Sequence, residues 1–242
     1  MERLVVVSTN SNPDYWGYSK YIKHAWNKLG WKVVVMITHD VDVKDIEGDY
    51  IIGLPEIKSL RTESIAQAGR LYAANYFSEE RLLMTSDMDL LPLSDYWHPK
   101  ENEITNYGHD LTDFSFYPMG YTAMSINNWK KVMKLTGSTE ADMIRDAHEP
   151  KLKYSPLAND WEQWWNWDWD LLTKRLEGYD VTKILRGRRP GSCFALGRVD
   201  RGDSMVVPSG SLIDAHLENH NIKAPVKWDK FLSLFESVYG KI

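Results

Sequence analysis

The sequence predicts a single-domain α/β fold, a central mixed, mostly parallel sheet flanked by helices. Three observations carry this. The chain opens strand, helix, strand. Short β-branched runs then alternate with stretches of helical apolar spacing. An apolar run in the first half, residues 81–85, ends directly in a pair of aspartates.

Leu4–Val7 is a β-branched run closed by Ser8-Thr9-Asn10, a strand followed by a polar turn. Residues 11–17 (SNPDYWG) have loop chemistry. Tyr18, Tyr21, Ile22, Ala25, Trp26 and Leu29 recur at helical spacing, and Gly30 stops the helix. Residues 31–38 are almost all apolar, so this second strand is expected to be buried on both faces. A third strand is expected over 49–54, a helix over 64–77 and a buried strand over 81–85. Pro92 with Ser94-Asp95 marks a turn. A strand over 120–126 leads to a helix over 129–135, capped by Asn127 or Asn128. A short helix is expected over 140–149 and a Trp-rich helical stretch over 160–177. Residues 186–191 (RGRRPG) read as a basic turn, 204–207 and 211–216 as short strands, and 228–239 as a terminal helix. Neither a repeat nor a clear linker divides the chain, so 1–242 is read as one domain. About 1–90 forms one half and about 91–242 the other.

Composition narrows the function. Of 242 residues, 43% are hydrophobic and 26% charged, which excludes disorder and coiled coil. Net charge is −5, so there is no cationic excess to displace counterions, and nucleic acid is not an expected partner. One cysteine, Cys193, excludes an internal disulfide framework. No apolar run approaches the roughly 18 residues of a membrane span. Residues 1–7 lack a secretory core, so a cytoplasmic setting is the expectation. Eleven tryptophans are more than core filling alone suggests.

The most informative segment is MTSDMDLLPL, residues 84–93. In an extended backbone Asp87 and Asp89 point the same way, at the carboxyl end of a strand, where open α/β sheets bind ligands. Two close carboxylates repel unless they share a proton or a cation. Oxygen donors select Mg²⁺ or Mn²⁺, which also engage substrate phosphates.

Several stretches resemble one family in order along residues 4–228. These are the first strand with its STN turn, Gly69-Arg70-Leu71-Tyr72, the RLLMTSDMDLLPL strand, and Met119-Gly120-Tyr121-Thr122-Ala123-Met124. They continue with Trp167-Asp168-Trp169-Asp170-Leu171-Leu172, Asp214-Ala215-His216-Leu217, and Lys227-Trp228. The chain resembles nucleotide-sugar glycosyltransferases of GT-A (Rossmann-like) fold that carry a DxD motif. More narrowly it resembles the retaining family of glycogenin and the bacterial lipooligosaccharide galactosyltransferases. Trp169 stands where that family has Gln, and Pro225-Val226-Lys227-Trp228 where it has Lys-Pro-Trp.

The resemblance implies a metal-dependent transfer of a sugar from a nucleotide-diphosphate donor, expected to be a UDP-sugar, to a carbohydrate or glycoconjugate acceptor. It makes 1–90 the nucleotide-binding half and 91–242 the acceptor-binding half. It implies Asp87, Asp89 and His216 as ligands of Mn²⁺ or Mg²⁺, with Asp214 a neighbour supporting His216 and His220 a rival ligand. Lys227 and Arg70 would bind the donor, Arg70 through its phosphate or sugar, and Asp87 could also meet the ribose.

Thr9, Asn10 and Tyr15, on the polar turn after the first strand, could hydrogen-bond or stack on the base. Asp168 and Asp170 would read donor-sugar hydroxyls or stabilise positive charge at the anomeric carbon, and are the candidate catalytic residues. If helical, Trp161, Trp165 and Trp169 line up at i, i+4, i+8 as a core stripe. Tryptophans outside the core could form a platform for sugar faces. Lys183, Arg186, Arg188 and Arg189 could form a loop that closes over the diphosphate. A sugar nucleotidyltransferase would also use a strand-end Asp pair, but normally with a Gly-rich basic phosphate loop, and residues 11–17 hold one Gly and no Lys or Arg. A non-catalytic carbohydrate-binding protein would account for the tryptophans but not for the Asp pair.

Overall fold

The structure is a computed structural model that describes residues 1–111, 116–187, 195–200, 211–217 and 225–242. Its main sheet has seven strands in the order β3-β2-β1-β4-β7-β6-β8. These are β1 (Arg3–Thr9), β2 (Lys32–Ile37), β3 (Tyr50–Gly53), β4 (Leu82–Thr85), β6 (Ile104–Tyr107), β7 (Thr122–Ser125) and β8 (Val181–Ile184). All pairings are parallel except those of β7, which runs against both β4 and β6. A mixed, mostly parallel sheet is therefore observed. A smaller sheet joins β5 (Leu90–Pro92), β10 (Asp214–His216) and β9 (Arg198–Asp200).

The near-continuous apolar runs are explained by burial on both faces. Leu4 and Val6 of β1 enter one core cluster, while Val5 and Val7 enter the other. Helices α3 (Thr62–Gly69), α4 (Ile126–Val132), α5 (Thr139–Ala147) and α7 (Trp167–Leu176) carry apolar side chains into the first. Helices α2 (Ser19–Lys28) and α8 (Pro225–Tyr239) carry theirs into the second. Two short helices remain, α1 (Pro13–Trp16) and α6 (Trp161–Trp165). Among the described residues no helix is long and apolar enough to cross a membrane.

The expected helix over 64–77 is two pieces. The α-helix ends at Gly69 and the chain continues as a 3₁₀ segment, Arg70–Tyr76. A Cβ at Gly69 would stand 2.5 Å from a Leu54 methyl, so glycine lets this turn lie against the chain after β3. Residues 70–74 are all buried, so the segment lacks the solvent face of an ordinary surface helix. Helix α4 begins earlier than expected because Ser125, rather than an asparagine, caps it by accepting from the Asn128 N–H. Loop chemistry at 11–17 became α1, with Asn12 as its cap and Pro13 in its first turn.

One topological feature positions the site. From β1 the chain builds outward through β2 to β3, then returns to lay β4 on the other side of β1. The order reverses between β1 and β4, and the crevice beyond their carboxyl ends is where such sheets take ligands.

Candidate functional site

Two groups of polar residues gather beyond the end of β4. The first is centred on Arg70, at the start of the 3₁₀ segment and buried. Its guanidinium donates to the carboxylate of Asp87 and, at 2.9 Å, to the Ser86 carbonyl. The other arm reaches Asp168 Oδ2 at 3.2 Å. Asp168 lies in the first turn of α7, 98 residues along the chain from Arg70, and is 2% exposed. Burial pushes the Asp168 carboxyl up to about 6 against the pull of Arg70, and Asp87 adds to the rise. Asp87 keeps 35% of its side chain exposed, so this carboxylate reaches solvent beyond the end of β4.

The second group is Asp89 with His216. The His216 Nε2 lies 3.5 Å from Asp89 Oδ2. Main-chain bonds set this pairing. His216 is registered against Leu90 in the β5–β10 ladder, and the Leu217 N–H donates to the Asp89 carbonyl at 2.7 Å.

The chain does not stay extended through Asp87-Met88-Asp89. It turns, closed by the Leu90 N–H on the Asp87 carbonyl at 3.1 Å. This corrects the expectation that both carboxylates project together: Asp87 goes to Arg70, Asp89 to His216. Among the described residues, no three His, Cys, Asp or Glu side chains already converge as a ligand set. Asp89 and His216 nonetheless supply an oxygen and a nitrogen donor, with a second, partly exposed carboxylate at Asp87 on the same turn, donor types that Mn²⁺ or Mg²⁺ can take.

The strand beside this turn is held close. Thr85 Oγ1 donates to the Met119 carbonyl at 2.6 Å, and the Tyr121 N–H donates to the Thr85 carbonyl at 2.7 Å. Tyr121 takes φ 71°, a left-handed conformation uncommon for a bulky residue, with its ring packed 3.8 Å from Trp97 between centroids. At Gly120 a Cβ would meet Asp87 Oδ2 at 3.3 Å and a Leu90 methyl at 3.0 Å, so glycine leaves the Asp87 carboxylate its room.

Other expected residues divide clearly. Asp170 is buried and accepts the backbone N–H groups of Lys153 and Tyr154, the latter at 2.9 Å. It anchors the loop before α6, and the catalytic expectation for it is corrected to a structural one. Asp214 does not support the His216 ring. Fully buried, it takes two bonds from Arg186, at 2.8 and 3.0 Å, and two from Arg198, at 3.0 and 2.6 Å. Burial works against the charge, but Arg198 and Arg186 outweigh it and hold the carboxyl well below the usual carboxylate range. Arg186 is thereby withdrawn from any phosphate-closing role, and Lys183 sits 5.2 Å above the Tyr117 ring. Arg188, Arg189, His220, Cys193 and residues 204–207 lie outside the described residues, as does the side chain of Lys227.

On the β1 side, Thr9 is buried and its hydroxyl donates to the Asn10 carbonyl at 3.0 Å. The Asn10 side-chain oxygen accepts the Asn12 N–H at 3.2 Å. Of the three expected base contacts, Asn10 and Tyr15 stay half-buried, so both can still meet a ligand. Asp40, after β2, was missed in the sequence. Burial would raise its carboxyl, but hydrogen bonds from Ser11 and Thr38 outweigh this and lower it. Asp40 thus ties the loop after β2 to the loop after β1 at the same end of the sheet. The local signal was weak, a lone Asp after an apolar strand.

Compared with known proteins, the chain matches no protein-family model and no curated protein.

Proposed function

We propose that the protein is a metal-dependent glycosyltransferase of GT-A fold, transferring a sugar from a nucleoside-diphosphate donor, a UDP-sugar, to a carbohydrate or glycoconjugate acceptor. The observation that carries this reading is the gathering of Asp87, Asp89, Arg70, Asp168 and His216 beyond the carboxyl end of β4, at the reversal of strand order. A sheet built this way favours a nucleotide at that crevice, and the sequence resemblance selects the sugar-nucleotide class.

Asp89 and His216 would hold Mn²⁺ or Mg²⁺, with Asp87 as the third ligand or a ribose contact. When bound, the cation supplies positive charge for the donor's phosphates and for the leaving nucleoside diphosphate. Asn10 and Tyr15 would meet the base. Arg70 fixes the Asp87 carboxylate and holds Asp168 ionised near neutral pH. Asp168 then offers negative charge beside the donor sugar, where positive charge develops as the glycosidic bond to phosphate breaks.

Calorimetric titration of UDP tests the reading. Tight binding with Mn²⁺ or Mg²⁺ and weak binding in EDTA is expected, because without a cation the phosphates meet acidic side chains. Equal affinity in both buffers overturns it.

A further inference from the structure

The Trp-rich stretch divides in a way its spacing did not suggest. Trp167 is fully buried, yet Trp161 is 64% exposed, Trp165 39% and Trp169 36%. These three are the i, i+4, i+8 set expected in the core. They lie instead on the solvent side of α6 and the start of α7. Helix α6 ends with the Asn166 N–H on the Glu162 carbonyl and α7 starts with the Asp170 N–H on the Asn166 carbonyl, so the two helices meet end to end at Asn166. Several large aromatic side chains left in solvent on adjoining helices point to a binding use.

We propose that Trp161, Trp165 and Trp169 are a docking surface for an uncharged glycan chain, the acceptor of the transfer; this role rests on the function proposed above. Two features select this occupant. The stripe is continuous with the candidate site: Trp169 follows Asp168 directly, and its backbone N–H donates to the Asp168 carboxylate at 2.9 Å. A chain lying along the stripe therefore ends beside the Arg70–Asp168 pair. The charges also fit a neutral ligand better than an anionic membrane, since Trp161 is flanked in the chain by the exposed carboxylates of Asp160 and Glu162, while one exposed cation, Arg61, stands 5.8 Å over the Trp164 ring. Indole faces pack against the C–H faces of pyranose rings, and each indole N–H can donate to a hydroxyl. With three exposed indoles, successive sugars of one chain can use successive rings.

The test is calorimetric titration of the whole protein with cellohexaose, maltohexaose and laminarihexaose and their disaccharides. Vesicles of phosphatidylcholine, alone or with phosphatidylglycerol, are run in parallel, with sedimentation to detect self-association. At least one hexasaccharide should bind, more tightly than its disaccharide. The double variant Trp161→Ala/Trp165→Ala should weaken that binding by about tenfold or more, with the melting temperature and UDP–Mn²⁺ affinity unchanged. Absence of binding by all three hexasaccharides at millimolar concentration overturns the proposal. So does binding indifferent to the double variant, or tryptophans that serve instead to bind vesicles or a second copy. Glycan binding through the tryptophans without any UDP–Mn²⁺ binding would leave the docking surface standing and remove the transferase.

Discussion

The Nε2 atom of His216 stands 3.5 Å from Oδ2 of Asp89, and main-chain bonds hold both residues there. Each sits at an end of the β5–β10 ladder, with the Leu217 N–H bonded to the Asp89 carbonyl. On the function proposed above this pair, drawn from segments 127 residues apart, would supply two of the cation's ligands. On this basis His216→Ala should abolish the metal-dependent part of UDP binding and leave the melting temperature near that of the wild-type protein. Titration with and without EDTA, beside a thermal melt, checks both halves. A variant that melts early but binds UDP–Mn²⁺ normally would make His216 a packing residue.

Asp214, two residues earlier on the same strand, should behave in the opposite way. Its carboxylate is the shared partner of Arg186 and Arg198, and both Asp214 and the Arg186 side chain are fully buried. Asp214→Asn leaves buried guanidinium charge under-compensated, a loss of about 3–5 kcal/mol. Denaturant unfolding should show it. UDP–Mn²⁺ binding should weaken in parallel, because β10 carries His216.

Arg70 is the hinge of the other group. Removing it leaves Asp168 buried without its cation, so Arg70→Gln should cost about 3–5 kcal/mol. Adding Asp168→Asn to that variant removes the stranded charge, so the double variant should be more stable than Arg70→Gln alone. Strictly additive losses in a double-mutant cycle would show that the two side chains do not interact.

Parts of this arrangement were legible in the sequence for definite physical reasons. Strands β1, β2 and β4 announce themselves because both of their faces are buried, which writes them as unbroken apolar runs. Strands β5, β6, β8 and β9 were missed: β6 is buried but carries Thr105 and Asn106 between its two apolar ends, β8 is a partly exposed edge of four residues, and β5 and β9 have three, too few for a period to register. Asp87 and Asp89 were visible as a pair, but their divergence is set by a turn and by partners at Arg70 and His216 that no local pattern encodes. The tasks of Asp170 and Asp214 were hidden for the same reason, since a carboxylate's partner lies across the fold. Spacing found the Trp161, Trp165 and Trp169 stripe and misjudged its side, because helical periodicity marks a shared face without saying whether that face is inside.

The Asp168 carboxyl gives a pH signature. It is pushed up to about 6 in the folded chain, from an ordinary value of 3.8. Between these values the native state keeps a proton that the unfolded chain has released. The group therefore favours folding fully below about pH 4, and this contribution is lost as pH rises through about 6. The difference corresponds to about 3 kcal/mol. Asp168→Asn has no such titration. The stability of the wild-type protein relative to this variant should fall by up to that amount from about pH 4 to pH 7. A constant difference across the range would show that Asp168 titrates normally.

Stereochemistry is the sharpest test of what Asp168 does. An inverting transferase needs a carboxylate base within hydrogen-bond reach of the acceptor hydroxyl, on the face opposite the leaving group. Asp168 is 2% exposed, with one oxygen committed to Arg70 and the other accepting the Trp169 N–H. Asp170 is spent on the backbone of Lys153 and Tyr154. Neither is placed to take a proton from an incoming hydroxyl. Trp169 offers no side-chain carbonyl to the developing cation, so charge support falls to Asp168. The resemblance to the retaining family implies that the transfer keeps anomeric configuration, with the leaving phosphate taking the acceptor's proton on the same face, and the commitments of Asp168 and Asp170 agree with this. Asp168→Asn should cut turnover by roughly 10²-fold or more through lost charge stabilisation, with UDP affinity little changed. Proton NMR of the first-formed product, on a donor whose anomers differ in coupling constant, reads the outcome. An inverted product together with an inactive Asp168→Asn variant would make Asp168 the base, and would require the Arg70 bridge to open during the reaction.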